Sequence, residues 1–271
     1  MVLLKYSRFS NILFYFTIIF LHFSYFTYGK KSSDVFDKVS KETGFSAVFL
    51  NTIETGKLIK QCGCNEQEKC LNNMKAQIYS CSNDCWGIFN KITKTPEDLK
   101  KCFDKKKDRI TSFMECFNRK SESCNPLNDN KMIPKHNITL MFHIAEKQIS
   151  SRKNDIMKSP AVKPIRNFFN TTLDFGHCLK NCMLKGNSNG FCFDKINCQP
   201  YLTEKKTIVT IKKCLKEFDW KDELAEICDC CIKAGISELN KICPMLKLMA
   251  GGSKKVHLQT KPPSTTVSKK N

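Results

Sequence analysis

Histidine is scarce in this chain of 271 residues. There are five, His22, His136, His143, His177 and His257, and they are scattered. Zinc sites favour short Cys or His pairs completed by further ligands of the same kind. The scatter argues against a mixed thiolate–imidazole site, and no metal or cofactor is expected. Alternating strand patterns are equally scarce, which points away from an all-β fold. Cysteine is missing from the whole stretch between Cys124 and Cys178. Only one stretch is apolar enough to approach a membrane-spanning length, and it lies at the extreme N-terminus. Residues 251–271 contain five lysines and no acid.

That apolar stretch has the grammar of a secretory signal. Lys5 and Arg8 form a positive start, Ile12 to Phe26 is almost wholly apolar and aromatic, and Thr27-Tyr28-Gly29 offers small residues for cleavage after Gly29. The apolar run is about fifteen residues, short of the roughly twenty that cross a bilayer. Residues 1–29 are therefore expected to be removed. The mature chain is expected to be secreted and extracellular, with no membrane span. The tail, 248–271, reads as disordered and basic.

All 17 cysteines lie downstream of the signal. In an oxidising compartment this density implies a disulfide frame. Cys62-Gly63-Cys64 and Cys228-Asp229-Cys230-Cys231 resemble thiolate clusters, but the export signal favours crosslinks. His177 beside Cys178 suggests a Cys–His nucleophile on paper. Sequence neighbours usually point apart, so a bridge is the expected role of Cys178.

The cysteines form two groups. Cys62, Cys64, Cys70, Cys81, Cys85, Cys102, Cys116 and Cys124 belong to a first module, residues 30–125. Cys178, Cys182, Cys192, Cys198, Cys214, Cys228, Cys230, Cys231 and Cys243 belong to a second, residues 173–247. Residues 126–172 form a linker with Pro134, Pro160 and Pro164 and the glycosylation acceptors Asn137 and Asn170, with room for an exposed helix from Thr139 to Met157. The two groups share an order. Cys81-x₃-Cys85, Leu99-Lys100-Lys101-Cys102 and, thirteen residues on, Cys116 match Cys178-x₃-Cys182, Ile211-Lys212-Lys213-Cys214 and, thirteen residues on, Cys228. This suggests a duplicated module.

Periodicity within both groups is helical. Thr95-Pro96-Glu97-Asp98 is a helix start, and Leu99, Cys102, Phe103, Ile110, Phe113 and Phe117 recur near helical spacing. The expected fold is all-α and disulfide-rich, with two small helical modules joined by a linker. Cysteines four apart on a helix share a face, so a partner helix can be stapled twice. Cys228 and Cys231 are the expected partners of Cys178 and Cys182, and the loop ends Cys192 and Cys198 pin back. The odd count leaves one thiol. Cys230, turned away from the apolar stripe of Cys228 and Cys231, is expected to be free or to join a disulfide-linked dimer.

Removing Lys5 and Arg8 with the signal leaves 43 basic side chains against 26 acidic ones. Such a chain attracts polyanions. Outside a cell these are sulfated glycans, anionic lipid and acidic proteins, and nucleic acid is not an expected partner. The candidate contact surface is the run Lys100, Lys101, Lys105, Lys106, Lys107 and Arg109, with the lysine tail.

The stretch CLKNCMLKGNSNGFCFDKINCQPYL, residues 178–202, resembles the nematode secreted domain named for chondroitin proteoglycan 4. The resemblance rests on Cys178-x₃-Cys182, on Gly190-Phe191-Cys192-Phe193-Asp194 and on Cys198-Gln199-Pro200. It implies an extracellular, matrix- or eggshell-associated core protein bearing chondroitin chains. Those chains attach at Ser-Gly sites, and this sequence has no Ser-Gly dipeptide. A strongly basic chain suits binding an anionic glycan better than bearing one.

The expected function is that of a secreted, N-glycosylated, non-catalytic protein that joins a matrix or binds anionic glycans or matrix proteins. An alternative is a secreted inhibitor or effector presenting a disulfide-fixed loop at Lys185 to Gly190. An enzyme would need acid–base pairs such as Asp174 with His177, or Asp222, Glu223 and Glu226. Exposed helical carboxylates of this kind are usually solvating charges, so none is expected to be catalytic.

Overall fold

A computed structural model describes residues 50–251 other than 159, 161, 218 and 219. The signal segment 1–29 and the tail from residue 252 lie outside the described residues. The chain begins with strand β1 (Ile53–Gln61). Helices α1 (Cys64–Cys85), α2 (Pro96–Asp104) and α3 (Lys107–Ser121) follow. Next come β2 (Met132–His136), α4 (Ile138–Lys158) and α5 (Arg166–Gly186). The short helix α6 (Cys192–Lys195) leads into β3 (Cys198–Gln199). Helices α7 (Glu204–Glu217), α8 (Trp220–Lys233) and α9 (Cys243–Gly251) complete the order. The fold is mainly helical and disulfide-rich, as the periodicity implies. Helix α9 runs through residues 248–251, which corrects the start expected for the tail.

Helix α1 starts where the Glu66 carboxylate accepts the Gly63 N–H at 2.8 Å, one of the donors a helix N-terminus leaves unmet. A side chain at Gly63 would come within 2.5 Å of Asn128 Oδ1, so a larger residue there would have to displace the Asn128 side chain. Cys70, Leu71, Met74, Ile78, Cys81 and Cys85 are buried along one stripe at three- and four-residue steps. Helix α2 starts at Pro96 as its sequence signals, but its cap differs. The Thr95 hydroxyl points to the Ala234 carbonyl at 3.3 Å, and Thr93 Oγ1 accepts the Thr95 N–H at 3.1 Å.

One core takes residues from both cysteine groups and from the segment between them. At its centre Trp86 lies 4.8 Å from Phe89, 5.9 Å from Phe103 and 5.7 Å from Phe175, ring centroid to ring centroid. The Trp86 indole N–H donates to the Pro96 carbonyl at 2.8 Å, which removes the cost of burying that group.

A three-stranded sheet in the order β2-β1-β3 was not visible in the sequence pattern. Strand β1 pairs antiparallel with β2, with Ile59 opposite Ile133 on the buried face. It pairs parallel with β3 through Lys60 and Gln61. The segment 126–172 thus supplies a strand and a long helix. The helix expected from Thr139 to Met157 is observed as α4.

The disulfides correct the expected pairing of Cys178 and Cys182 with Cys228 and Cys231. Six bridges join the first group to the second: Cys62–Cys198, Cys70–Cys192, Cys81–Cys182, Cys85–Cys178, Cys102–Cys230 and Cys116–Cys214. Only Cys64–Cys124 and Cys228–Cys243 stay within a group. Cys178 and Cys182 are stapled twice, but by Cys85 and Cys81 rather than by Cys228 and Cys231. The physical reason is packing: α1 lies antiparallel against α5, which brings Cys81 and Cys85 into register with Cys182 and Cys178, while α8 packs on α2 and α9 and bonds there through Cys230 and Cys228. Cys192 and Cys198 likewise anchor to Cys70 and Cys62 instead of bracing only their own loop.

Under the repeat, Cys81, Cys85, Cys102 and Cys116 correspond to Cys178, Cys182, Cys214 and Cys228. Exchanging the two sets turns the bond Cys81–Cys182 into Cys178–Cys85, which is observed. It turns Cys116–Cys214 into Cys228–Cys102, and the observed bond uses Cys230, two residues on. Helix packing follows the same exchange: α1 packs on α5, and α3 packs on α7 as α8 packs on α2. The two copies meet each other as the halves of a two-fold dimer do, where residue i meets j and j meets i.

Candidate functional site

The residues singled out by sequence separate into those that hold the frame and those that face outward. Sixteen cysteines are bonded, and the unpaired thiol is Cys231, not Cys230. Cys230 reaches α2 and bonds Cys102 with Cα atoms 5.7 Å apart. Cys231 occupies the apolar stripe of α8 and is fully buried. Burial alone pushes its thiol up to about 12, so it stays protonated and unreactive. Among the described residues no group of His, Cys, Asp or Glu is arranged to hold a metal ion. No described helix is long and apolar enough to cross a membrane.

Two lysines of the basic run on α2 and α3, Lys101 and Lys106, are held in ion pairs. The ammonium of Lys106 lies 2.7 Å from Glu223 and also pairs with Glu226, both on α8. Burial would lower the Lys106 pKa, but the two carboxylates outweigh it and hold the ammonium charged. Lys106 therefore ties the α2–α3 corner to α8. Lys101 pairs with Asp98 of its own helix at 2.8 Å. Lys100 is half-buried and Lys105 is exposed. The side chains of Lys107 and Arg109 lie outside the described ones.

Asp174 and His177 do not pair with each other. Asp174 binds Lys91 at 2.7 Å, while His177 on the same helix meets Glu146 at 2.5 Å. Glu223 and Glu226 are engaged by Lys106. The Asp222 side chain lies outside the described ones. The loop at Lys185 to Gly190 is tied down at its centre. Asn187 is buried, and its amide donates to Gln77 at 2.6 Å and to the Met183 carbonyl at 2.8 Å. Lys185, Gly186, Ser188 and Asn189 face out.

The two acceptor asparagines sit differently. Asn137 caps α4, its side-chain oxygen accepting the Leu140 N–H at 2.8 Å. Asn170 lies inside α5, next to the buried Thr171 and Thr172. The Thr172 hydroxyl donates to the Phe168 carbonyl at 2.8 Å.

Helix α4 was undervalued when its segment was read as a linker. Its first turns are anchored by Ile138, Met141 and Phe142, the last stacked on Phe191 at 5.6 Å. Glu146 then clamps α4 to α5 through His177 and through Lys180 at 2.6 Å. A sequence signal was available: residues 147–166 contain six basic side chains and one acid.

Comparison with family models, with characterised proteins and with solved structures finds no match to this chain.

Proposed function

We propose that this chain is a secreted, non-catalytic extracellular protein that binds anionic glycans, and that its segment 178–202 is a variant of the chondroitin proteoglycan 4 domain. The observation that carries the reading is the combination of eight disulfides with a formal charge of +19. Bridges of this number belong to oxidising compartments. There the abundant polyanions are sulfated and carboxylated polysaccharides. Engagement of Asp174 by Lys91, of His177 by Glu146, and of Glu223 and Glu226 by Lys106 supports a binding role over a catalytic one. The absence of Ser-Gly supports binding a glycan over carrying one.

The test is chromatography of the purified secreted protein on heparin and chondroitin sulfate columns. Retention well above physiological salt is expected. Elution at or below physiological salt on both columns overturns the reading.

A further inference from the structure

We infer that the polyanion-binding surface is the outer face of α4 from Lys147 to Lys158, and that its partner is a linear sulfated glycan. This rests on the glycan-binding reading above and assigns it a place. On the other basic helices part of the charge is held in ion pairs. Lys101 meets Asp98, Lys106 meets Glu223 and Glu226, Lys120 meets Glu217, Lys206 meets Glu122, and Lys247 meets Asp229. The stretch from Lys147 to Arg166 has no such pairing. Lys147, Arg152, Lys153, Lys158, Lys163 and Arg166 form no ion pair among the described residues, and the single acid of the stretch, Asp155, forms none either. Glu146 is occupied by His177 and Lys180, and Glu238 by Asn167 and the Phe168 N–H.

Geometry selects the polymer. From Lys147 to Lys158 the helix rises roughly 16 Å, at about 1.5 Å per residue. Every exposed residue over this length is polar: Lys147, Ser150, Ser151, Asn154, Asp155 and Lys158. The apolar side faces inward, with Ile149, Ile156 and Met157 packed against the core. A helix that docks on a bilayer needs an apolar face free to enter it. This one has used that face on its own protein, leaving a hydrophilic cationic rail. Such a rail suits a hydrated polyanion lying along the helix. Uncompensated charge attracts polyanions more strongly than charge already paired with a neighbouring carboxylate.

Two variants of the full chain separate the possibilities. One carries Lys147→Ala, Arg152→Ala, Lys153→Ala and Lys158→Ala. The control carries Lys100→Ala and Lys105→Ala on α2 and its C-terminal end. Both keep the buried side of their helices, and native bridges are checked by non-reducing peptide mapping. Binding is measured by titration with heparin oligosaccharides, with anionic vesicles and single-stranded DNA as competitors. The α4 variant is expected to lose affinity by about tenfold or more, with the control within about twofold of the parent. If the parent binds heparin and the α4 variant binds equally well, or the control falls as far, the location is wrong while glycan binding stands. If the parent binds vesicles or DNA in preference, the partner class is wrong. If the parent does not bind heparin at all, the functional reading falls and this assignment falls with it.

Discussion

Cys85 and Cys178 are bonded across the two halves of the chain with Cα atoms 5.9 Å apart, and one helical turn away Cys81 bonds Cys182 in the reverse order. This double staple fixes α1 against α5 and ties both repeats into one body. Each bridge of this kind stabilises a fold by about 2–4 kcal/mol, chiefly by restricting the unfolded chain. A cut between the repeats should therefore leave the molecule whole. Limited proteolysis at Lys153 or Lys158, in the outer half of α4, is expected to give one band on a non-reducing gel and two after reduction. Separation into two bands without reductant would contradict the six bridges between the two cysteine groups.

Cys231 supplies the next prediction. One thiol per chain is expected to react with Ellman's reagent in denaturant, and almost none in the native protein at pH 8. Burial holds the group protonated far above that pH. The protein is expected to run as a monomer without reductant. Cys231→Ala should leave that pattern unchanged and cost about 1 kcal/mol in chemical denaturation, the loss of one small buried group. A covalent dimer that disappears in this variant would show the thiol to be accessible.

Lys106 was read from sequence as part of a binding face, and the structure makes it a tie. Replacing it with Met keeps the stem and removes the charge. Glu223 and Glu226 would then lose their shared partner near a half-buried carboxylate. Lys106→Met is expected to destabilise the fold by about 1–2 kcal/mol in urea unfolding, less than for a fully buried pair because Glu226 is exposed. Heparin affinity is expected to change little. The opposite pattern, full stability with weakened binding, would restore Lys106 to the contact surface.

The sequons predict unequal occupancy. Transfer of a glycan needs an accessible asparagine on a surface. Asn137 sits at a helix start after an edge strand, whereas Asn170 is embedded in α5 with both following threonines buried. Glycopeptide mass spectrometry of the secreted protein is expected to find the glycan at Asn137 and an unmodified Asn170. A glycan at Asn170 would require modification before α5 forms.

The helices and the crosslinked character were legible because they are local. Thr95-Pro96-Glu97-Asp98 marks a start wherever the chain goes, and cysteines four apart share a helix face in any fold. The repeat was legible from the matched thirteen-residue spacing, but the way its copies meet was not. Whether Cys178 meets Cys85 or Cys228 depends on which helices pack together, and no local pattern encodes that. The odd thiol shows the same limit. Cys230 points off the apolar stripe, which suggests a free group until α2 is found beside it carrying Cys102. Lys106 shows a related limit: a run of lysines gives charge in sequence, but only the fold shows that Glu223 and Glu226 lie opposite Lys106. Sheet order was hidden because β3 is two residues long and β2 lies in a segment dominated by proline and polar residues.

Glu146 joins α4 to α5 through His177 and Lys180, and this joint should depend on pH. Burial of Glu146 raises its pKa, but hydrogen bonds from Lys180 and His177 outweigh this and leave the folded value below the ordinary one. A carboxylate with a depressed folded pKa contributes stability above the unfolded value, about 4.3, and loses it as the pH falls through the folded value. The window lies below about pH 4.3. The first turn of α4 is held independently by Ile138, Met141 and Phe142, so loss of the clamp should loosen the outer half of the helix first. Hydrogen exchange is expected to show protection of amides from 147 to 158 at pH 6 and its selective loss near pH 3, corrected for intrinsic exchange rates. Glu146→Gln should show the low-pH pattern already at pH 6. Equal protection of α4 and α5 at both pH values would mean that packing alone holds the helix, and that Glu146 is a bystander.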